Sequence, residues 1–288
     1  MLTNRRFCVF ILSHGRPDNI HTLKALANSN YNGDYYIVVD DEDRTLSDYE
    51  SLYGDKVKIF NKSTVARTFD AYDMSDNMNT VVYARNACFD IAESLGYDYF
   101  LELDDDYVRF EYRWAEGQKL MTQRVEDLDA IIDEMLDFLD TTGALTVAFA
   151  QGGDFIGGVG SANFKKGCMR KAMNTFFCKT ANRFNFVGRI NEDVNTYCTF
   201  GSRGHLLLSI AAIDIIQVPT QQNAGGMSGV YLDGGTYMKS FYSVMSNPNF
   251  VSIQAMGPSH KRLHHIVDWE TAVPKIISDK FKKVEDYK

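Results

Sequence analysis

Three consecutive aspartates, Asp104, Asp105 and Asp106, close the apolar run in YDYFLELDDDYVRF, residues 97–110. Residues two apart at a strand's exit point the same way, so Asp104 and Asp106 can converge on one point while Asp105 turns aside. Such a pair suits a hard cation: magnesium and manganese take oxygen ligands, are held by one or two protein carboxylates, and leave other positions to water and phosphate. The plainer reading is a solvated turn or a helix cap. Against it, one aspartate suffices for a turn, and three in a row repel one another unless something positive sits among them. Upstream, Arg85 offers a planar fork of donors for a phosphate or for a carboxylate such as Asp104, or else is a surface helix charge. Asp40 and Asp41 close a second apolar run, YYIVV, where acids also cap turns. In SHGRP, the backbone N–H groups near Ser13 to Gly15, beside Arg16, can meet an anion, although Gly-Arg-Pro is also ordinary turn chemistry.

Two further groups stand out later in the chain. Glu192 and Asp193 follow Asn191, and acids in a first helical turn are already explained by the cap and the helix dipole. His260, His264 and His265 crowd into the polar stretch GPSHKRLHHIVDW with Lys261 and Arg262. Three histidines there are either a surface cluster or ligands. From Phe155 to Asn191 the chain carries Lys165, Lys166, Arg170, Lys171, Lys179, Arg183 and Arg189 with no acid, inside a protein of net charge −8. That segregation is unlike a neutral solvated face and suits a polyanion bound on a local patch of Lys165, Lys166, Arg170 and Lys171.

The elements that position these groups alternate in kind. FCVFIL (7–12), YYIVVDDED (35–43), KVKIF (56–60) and YFLEL (99–103) read as strands. IHTLKALANS and TVVYARNACFDIAESLG between them carry apolar residues at helical spacing, the second ending on Gly96. This is an α/β pattern with a mostly parallel central sheet, whose ligands sit outside the carboxyl ends of the strands, where both acid clusters fall. VEDLDAIIDEMLDFLDTTG is an amphipathic helix, LTVAFAQGG a strand, and GGDFIGGVG (152–160) a loop too rich in glycine for either regular element. INEDVNTYCTFGSRG reads as a short helix capped by Asn191, HLLLSI and IDIIQV as a pair of strands, TYMKSFYSVMS as a helix and VSIQA as a strand. Without repeats or an interior linker, residues 1–288 read as one domain, regular over 1–110 and less regular over 111–288.

Composition sets the remaining bounds. With 45% hydrophobic and 24% charged residues the chain has a globular composition, and no stretch approaches a membrane span. Five scattered cysteines without CxxC spacing disfavour a disulfide framework and a zinc knuckle, and point to a reducing cytoplasm.

Taken in order, the SHGRP turn, the strand ending on Asp40-Asp41, YARNACFDIAESLGYDYFLELDDD and INEDVN resemble the nucleotide-sugar glycosyltransferases of GT-A type. The compact form, the SHGRP-like opening and the LDDD strand are most similar to phage and TET-associated enzymes that glycosylate hydroxymethylpyrimidines in DNA. The resemblance implies a GT-A fold and a metal-dependent transferase using Mn2+ or Mg2+ and a nucleotide-sugar, UDP-sugar foremost. It implies Asp104 and Asp106 as metal ligands with a C-terminal histidine, His260 ahead of His264 and His265, as a third, and Ser13, Arg16, Asp40, Arg85 and Asn86 on the nucleotide side. It further implies Asp193 as general base with Glu192 beside it. A DNA acceptor would meet the basic patch, and the enzyme would work in a cytoplasm, the host's if phage-encoded. The rival readings are a glycan, lipid-linked or protein acceptor, a nucleotidyl transferase, for which SHGRP is a poor phosphate loop, and a catalytically inactive binding module.

Overall fold

In a computed structural model, residues 5–218, 238–256 and 262–273 are described. The first half runs β1 (Phe7–Leu12), α1 (His21–Asn28), β2 (Asp34–Asp40), α2 (Leu46–Tyr53), β3 (Val57–Phe60), α3 (Lys62–Val65), α4 (Val82–Leu95), β4 (Tyr99–Asp104). The second continues with β5 (Tyr107–Glu116), β6 (Lys119–Arg124), α5 (Leu128–Thr142), β7 (Thr146–Gln151), α6 (Ala162–Lys166), β8 (Cys168–Met169), β9 (Phe176–Lys179), α7 (Glu192–Gly201) and β10 (Leu207–Gln217). Residues 238–246 form helix α8, and β11 (Val251–Met256) pairs with β12 (Arg262–Val267) as a separate hairpin.

Among the described residues ten strands form one sheet in the order β3-β2-β1-β4-β9-β7-β10-β5-β6, with β8 paired to β10. From β3 to β4 every pairing is parallel, as the strand and helix alternation requires. β9 then runs antiparallel between β4 and β7, so β4 and β7 point the same way and end at one edge. β1 shows why its run is apolar throughout: Phe7, Val9 and Ile11 face one core with α1, α2 and α5, while Cys8, Phe10 and Leu12 face another with α4 and α7. Covering both faces removes the polar alternation seen in half-exposed strands. α4 ends where Gly96 takes left-handed backbone (φ 77°), and α5 starts where the Asp127 carboxylate accepts the Ala130 N–H at 3.0 Å.

Three local expectations change. HLLLSI and IDIIQV are not two strands but one, β10, which has an irregularity between Ile210 and Asp214. No turn-forming residue separates them: Ala211 and Ala212 lie in a bulge within the strand, where its partner changes from β8 to β5. The hairpin of β5 and β6 has no counterpart in the element reading, although Val108, Phe110, Tyr112 and Trp114 alternate with polar residues at a strict period of two. Asn191 stands at the cap of α7, but its side chain does not cap the helix: it donates to Lys239 O (2.8 Å) and Ser243 Oγ (3.1 Å) on α8.

Candidate active site

The β4 exit separates the three aspartates. Thr22 of α1 pins the turn, its hydroxyl donating to Asp104 O (2.6 Å) while accepting the Tyr107 N–H (3.1 Å). Asp105 turns into the protein, where Oδ2 accepts from the Ser13 hydroxyl at 2.6 Å and Oδ1 lies 3.1 Å from Arg16 Nη2. Burial pushes its carboxyl up to about 6 against the pull of Arg16 and Ser13. Tyr49 of α2 completes the chain, accepting from the Arg16 N–H (2.9 Å) and donating to Ser13 Oγ (2.7 Å). The SHGRP turn is thus locked to the β4 strand by Asp105, and Ser13 is itself buried.

Asp104 and Asp106 remain partly exposed. Arg85 Nη2 donates to Asp104 Oδ1 at 3.0 Å, and the Tyr107 hydroxyl lies 3.2 Å from Oδ2. Asp106 has no ion-pair partner among the described residues; burial first, then the charges of Asp104 and Asp105, push its carboxyl up to about 7. A half-exposed carboxylate beside an uncompensated one fits a divalent cation, which would replace that repulsion with attraction. Among the described residues no group of three or more His, Cys, Asp or Glu is arranged to hold a metal. His260 lies outside the described residues, while His264 and His265 stack on each other on β12 with centroids 4.5 Å apart.

Arg85 is the hub of the site. Its side chain is 1% exposed, and its guanidinium reaches Asp104, Glu102 (3.5 Å) and Glu192 (Nε to Oε1, 3.0 Å). The Phe176 ring lies 4.8 Å from its guanidinium carbon. The surface-charge alternative is therefore excluded, and of the two partner types foreseen the guanidinium has taken carboxylates. Burial pushes the neighbouring Glu102 carboxyl up to about 8, against the charge of Arg85. Glu192 and Asp193 are both buried at the start of α7, and burial raises both carboxyls. Asn191 before them holds left-handed backbone (φ 54°), as does Asn174 (φ 60°), whose carbonyl lies 2.7 Å from the Tyr107 hydroxyl. Strained backbone of this kind costs about 1–3 kcal/mol and tends to gather at functional sites.

Asn86 lies apart from this cluster. Its buried amide clamps Phe186, accepting the Phe186 N–H (2.8 Å) and donating to Phe186 O (3.0 Å). The Asp40 carboxylate accepts from His14 Nδ1 at 2.7 Å and sits 2.7 Å from buried Lys62 Nζ. Burial favours its neutral form, but His14 and Lys62 outweigh that and hold it down to about 2. His14, Lys62 and Tyr49 escaped the sequence reading. The histidine in SHGRP was a visible signal, whereas nothing in FNKST marks Lys62 as buried.

The basic segment is largely answered in three dimensions. Lys171 pairs with Asp154, Lys179 with Asp140 (3.1 Å), Arg183 with Asp90 (2.5 Å) and Arg189 with Asp73 (2.7 Å). Lys165, Lys166 and Arg170 have no ion pair among the described residues. The predicted patch of four thus keeps three uncompensated cations. The five cysteines are free, and no described helix is long and apolar enough to cross a membrane.

Comparison with known proteins gives two kinds of likeness. Among solved structures, the chain is similar to glucosyl-3-phosphoglycerate synthase from Mycobacterium tuberculosis in complex with Mn2+, UDP and phosphoglyceric acid (8% identity, TM-score 0.44, covering 92% of this chain and 87% of that one). It is also similar to the mannosyltransferase PcManGT from Pyrobaculum calidifontis in complex with GDP-Man and Mn2+ (12%, 0.47, 76% and 59%) and to S. aureus TarS 1-349 (14%, 0.40, 73% and 60%). No curated protein sequence matches the chain. The profile of the TET-Associated Glycosyltransferase family matches residues 7–226, which take in the SHGRP turn, the aspartates of β4, Arg85 and the acid pair of α7. The chain belongs to the TET-associated glycosyltransferase family.

Proposed function

We infer that this enzyme moves a sugar from a nucleotide-diphosphate sugar, UDP-sugar foremost, to the hydroxymethyl group of a pyrimidine in DNA. The observation that carries this reading is the Arg85 guanidinium, which ties the strand-end acid Asp104 to Glu192 on the helix that bears Asp193. Donor-side and acceptor-side acids are thereby held on one buried fork, as a two-substrate transfer requires. Asp104 and Asp106 would hold Mn2+ or Mg2+, which when bound supplies positive charge to the donor diphosphate. Arg16, paired with Asp105 and with its Nε buried without a partner, would be the anion donor of the SHGRP turn, because the N–H groups of Ser13, Gly15 and Arg16, expected to meet an anion, are instead taken by Val38 O, Asp43 Oδ2 and the Tyr49 hydroxyl. Asp40, fixed by His14 and Lys62, would orient the nucleoside.

In the reaction the acceptor hydroxyl oxygen forms a bond to the anomeric carbon as the bond from that carbon to the diphosphate oxygen breaks. The electron pair leaves with the diphosphate, and the hydroxyl proton passes to Asp193. A carboxylate whose proton affinity is raised by burial is a better base than a solvated one. The DNA acceptor is supported by the family's association and by the cations left uncompensated near the glycine loop in an acidic protein. A thermal-shift panel of UDP- and GDP-sugars with and without Mn2+, followed by mass analysis of nucleosides from hydroxymethylated DNA, tests both halves. Metal-dependent stabilisation by a sugar nucleotide and a hexose-sized mass gain are expected. Indifference to every donor would overturn the transferase reading; donor binding with transfer only to a glycan or protein would overturn the acceptor.

A further inference from the structure

The glycine loop after β7 presents a side chain that packing does not explain. Ile156 is 78% exposed, whereas Phe155 beside it is buried, with the Arg113 guanidinium carbon 5.1 Å from its ring and the Phe164 ring at 6.1 Å. The loop that carries Ile156 is built rather than slack. The Gln151 N–H donates to Asp154 Oδ2 (3.1 Å) in a reciprocal cap, Lys171 pairs with Asp154, and the Ser161 N–H donates to Gly158 O (2.9 Å). Gly157 and Gly158 hold left-handed backbone (φ 95° and 59°), turning the chain sharply just past Ile156. A rigid turn therefore holds one large apolar side chain in water.

Position and charge say what it meets. β7 and β4 end at the same edge with the entry to β9 between them, so the loop starts roughly 10 Å from Asp104, two strand spacings away. Asn174 bridges the gap: its carbonyl meets the Tyr107 hydroxyl that lies against Asp104, and the Gln151 amide donates to the adjacent Met173 carbonyl at 3.2 Å. On the other side the loop leads into α6, with exposed Lys165 and Lys166, and then to Arg170, all three without ion pairs among the described residues. A fixed apolar tip beside uncompensated cations is the chemistry of side chains that enter a base step while neighbours hold the phosphates.

Resting on the DNA reading above, we propose that Ile156 is a wedge that enters duplex DNA at the base step beside the target, helping to extrude the hydroxymethylpyrimidine toward Asp104 and Asp193. A base inside a duplex is stacked and paired, so an enzyme acting on it must offset the cost of unstacking, a cost nearly absent in a single strand.

The test compares transfer to one hydroxymethylcytosine in duplex DNA and in the same strand alone, at equal salt. Ile156→Ala and Ile156→Gly are expected to lower transfer to the duplex about tenfold or more while leaving the single strand as good a substrate as before, and Ile156→Phe to restore the duplex. In a binding experiment, 2-aminopurine beside the target should brighten with wild-type enzyme and stay dark with Ile156→Ala. Equal rates on the duplex for all variants, or equal loss on both substrates, would overturn the wedge and leave the DNA acceptor standing. If wild-type enzyme modifies neither DNA, the acceptor reading falls and the wedge with it. Unchanged melting temperatures of these variants, expected for an exposed side chain, show that folding is not the cause.

Discussion

The two ends of the sheet edge where β4 and β7 finish treat charge in opposite ways. On the parallel side, at the ends of β1, β2 and β4, Asp40 is held by His14 and Lys62, Asp105 by Ser13 and Arg16, and Asp104 by Arg85. On the far side, beyond β7, the chain leaves Lys165, Lys166 and Arg170 uncompensated and Ile156 in water. Fixing charged groups in advance suits a small ligand that must be placed to within an ångström. Uncompensated cations suit a long anion whose phosphates are met by charge rather than by shape. The two sides thus differ as the two proposed substrates would require, and Asp106 is the exception on the first side: an acid without an ion pair among the described residues, more strongly repelled by Asp104 and Asp105 than attracted by Arg16.

Breaking the hub should have the largest effect. Arg85→Gln leaves Glu102, Asp104 and Glu192 buried or half-buried around a neutral side chain, and removing one partner of a buried ion pair costs about 3–5 kcal/mol. Urea denaturation should show that loss, and transfer should fall by about 10²-fold or more, because the two acid groups lose their common anchor. Arg85→Lys should recover part of the stability but little of the activity, since an ammonium cannot span the carboxylates as the fork does. Next comes Asp106→Asn, which should separate stability from function. Removing an acid that is partly buried and repelled by Asp104 and Asp105 more than Arg16 attracts it is expected to raise metal-free stability by about 0.5–2 kcal/mol while abolishing metal-dependent donor binding in a thermal-shift titration. A loss of stability instead would mean that the attraction of Arg16 outweighs that repulsion.

How far the sequence led follows the same division. The period of two was enough to separate Asp105 from Asp104 and Asp106, and the apolar runs located β1 to β4 because parallel strands buried on both faces are written without alternation. The acid pair of α7 was legible from its helix pattern, but its contact with Arg85 was not, since the two are 107 residues apart in the chain. The basic segment misled for the same reason: its partners Asp73, Asp90 and Asp140 come from other elements, and a local charge count cannot see them. Lys62 escaped because burial of a lysine depends on Asp40 and Glu42 lying across a strand end. β5 alternates regularly but starts at Tyr107, directly after the aspartates that read as the end of β4, and β6 (KLMTQR) carries no alternation to mark it.

A smaller effect is expected from pH. The Asp40 carboxyl is lowered from 3.8 to about 2, so its contribution is complete above about pH 4 and is lost as pH falls toward 2. The hydrogen bond to Asp40 raises His14 above 6.5, so its contribution is complete below that value and is lost as pH rises through the shifted one. The pair should stabilise most between roughly pH 4 and 6.5, and the melting-temperature difference between wild type and His14→Gln should peak in that window and shrink on both sides. A difference that is flat with pH would show that His14 acts by packing rather than by charge.

The least effect on stability is expected from Lys165→Ala, Lys166→Ala and Arg170→Ala combined. Because none of the three has an ion pair among the described residues, their loss should leave the unfolding free energy within about 0.5 kcal/mol. The same change should flatten the dependence of log DNA affinity on log salt by up to about three phosphate contacts' worth, roughly one unit per contact. Lys171→Ala is the control that sharpens the contrast, since it frees Asp154 from its partner at the root of the glycine loop and should cost stability where the triple change does not. An unaltered salt slope in the triple variant would remove the far side from DNA binding and would leave the clamped acids of the parallel side, with their small-molecule donor, as the part of the proposal still standing.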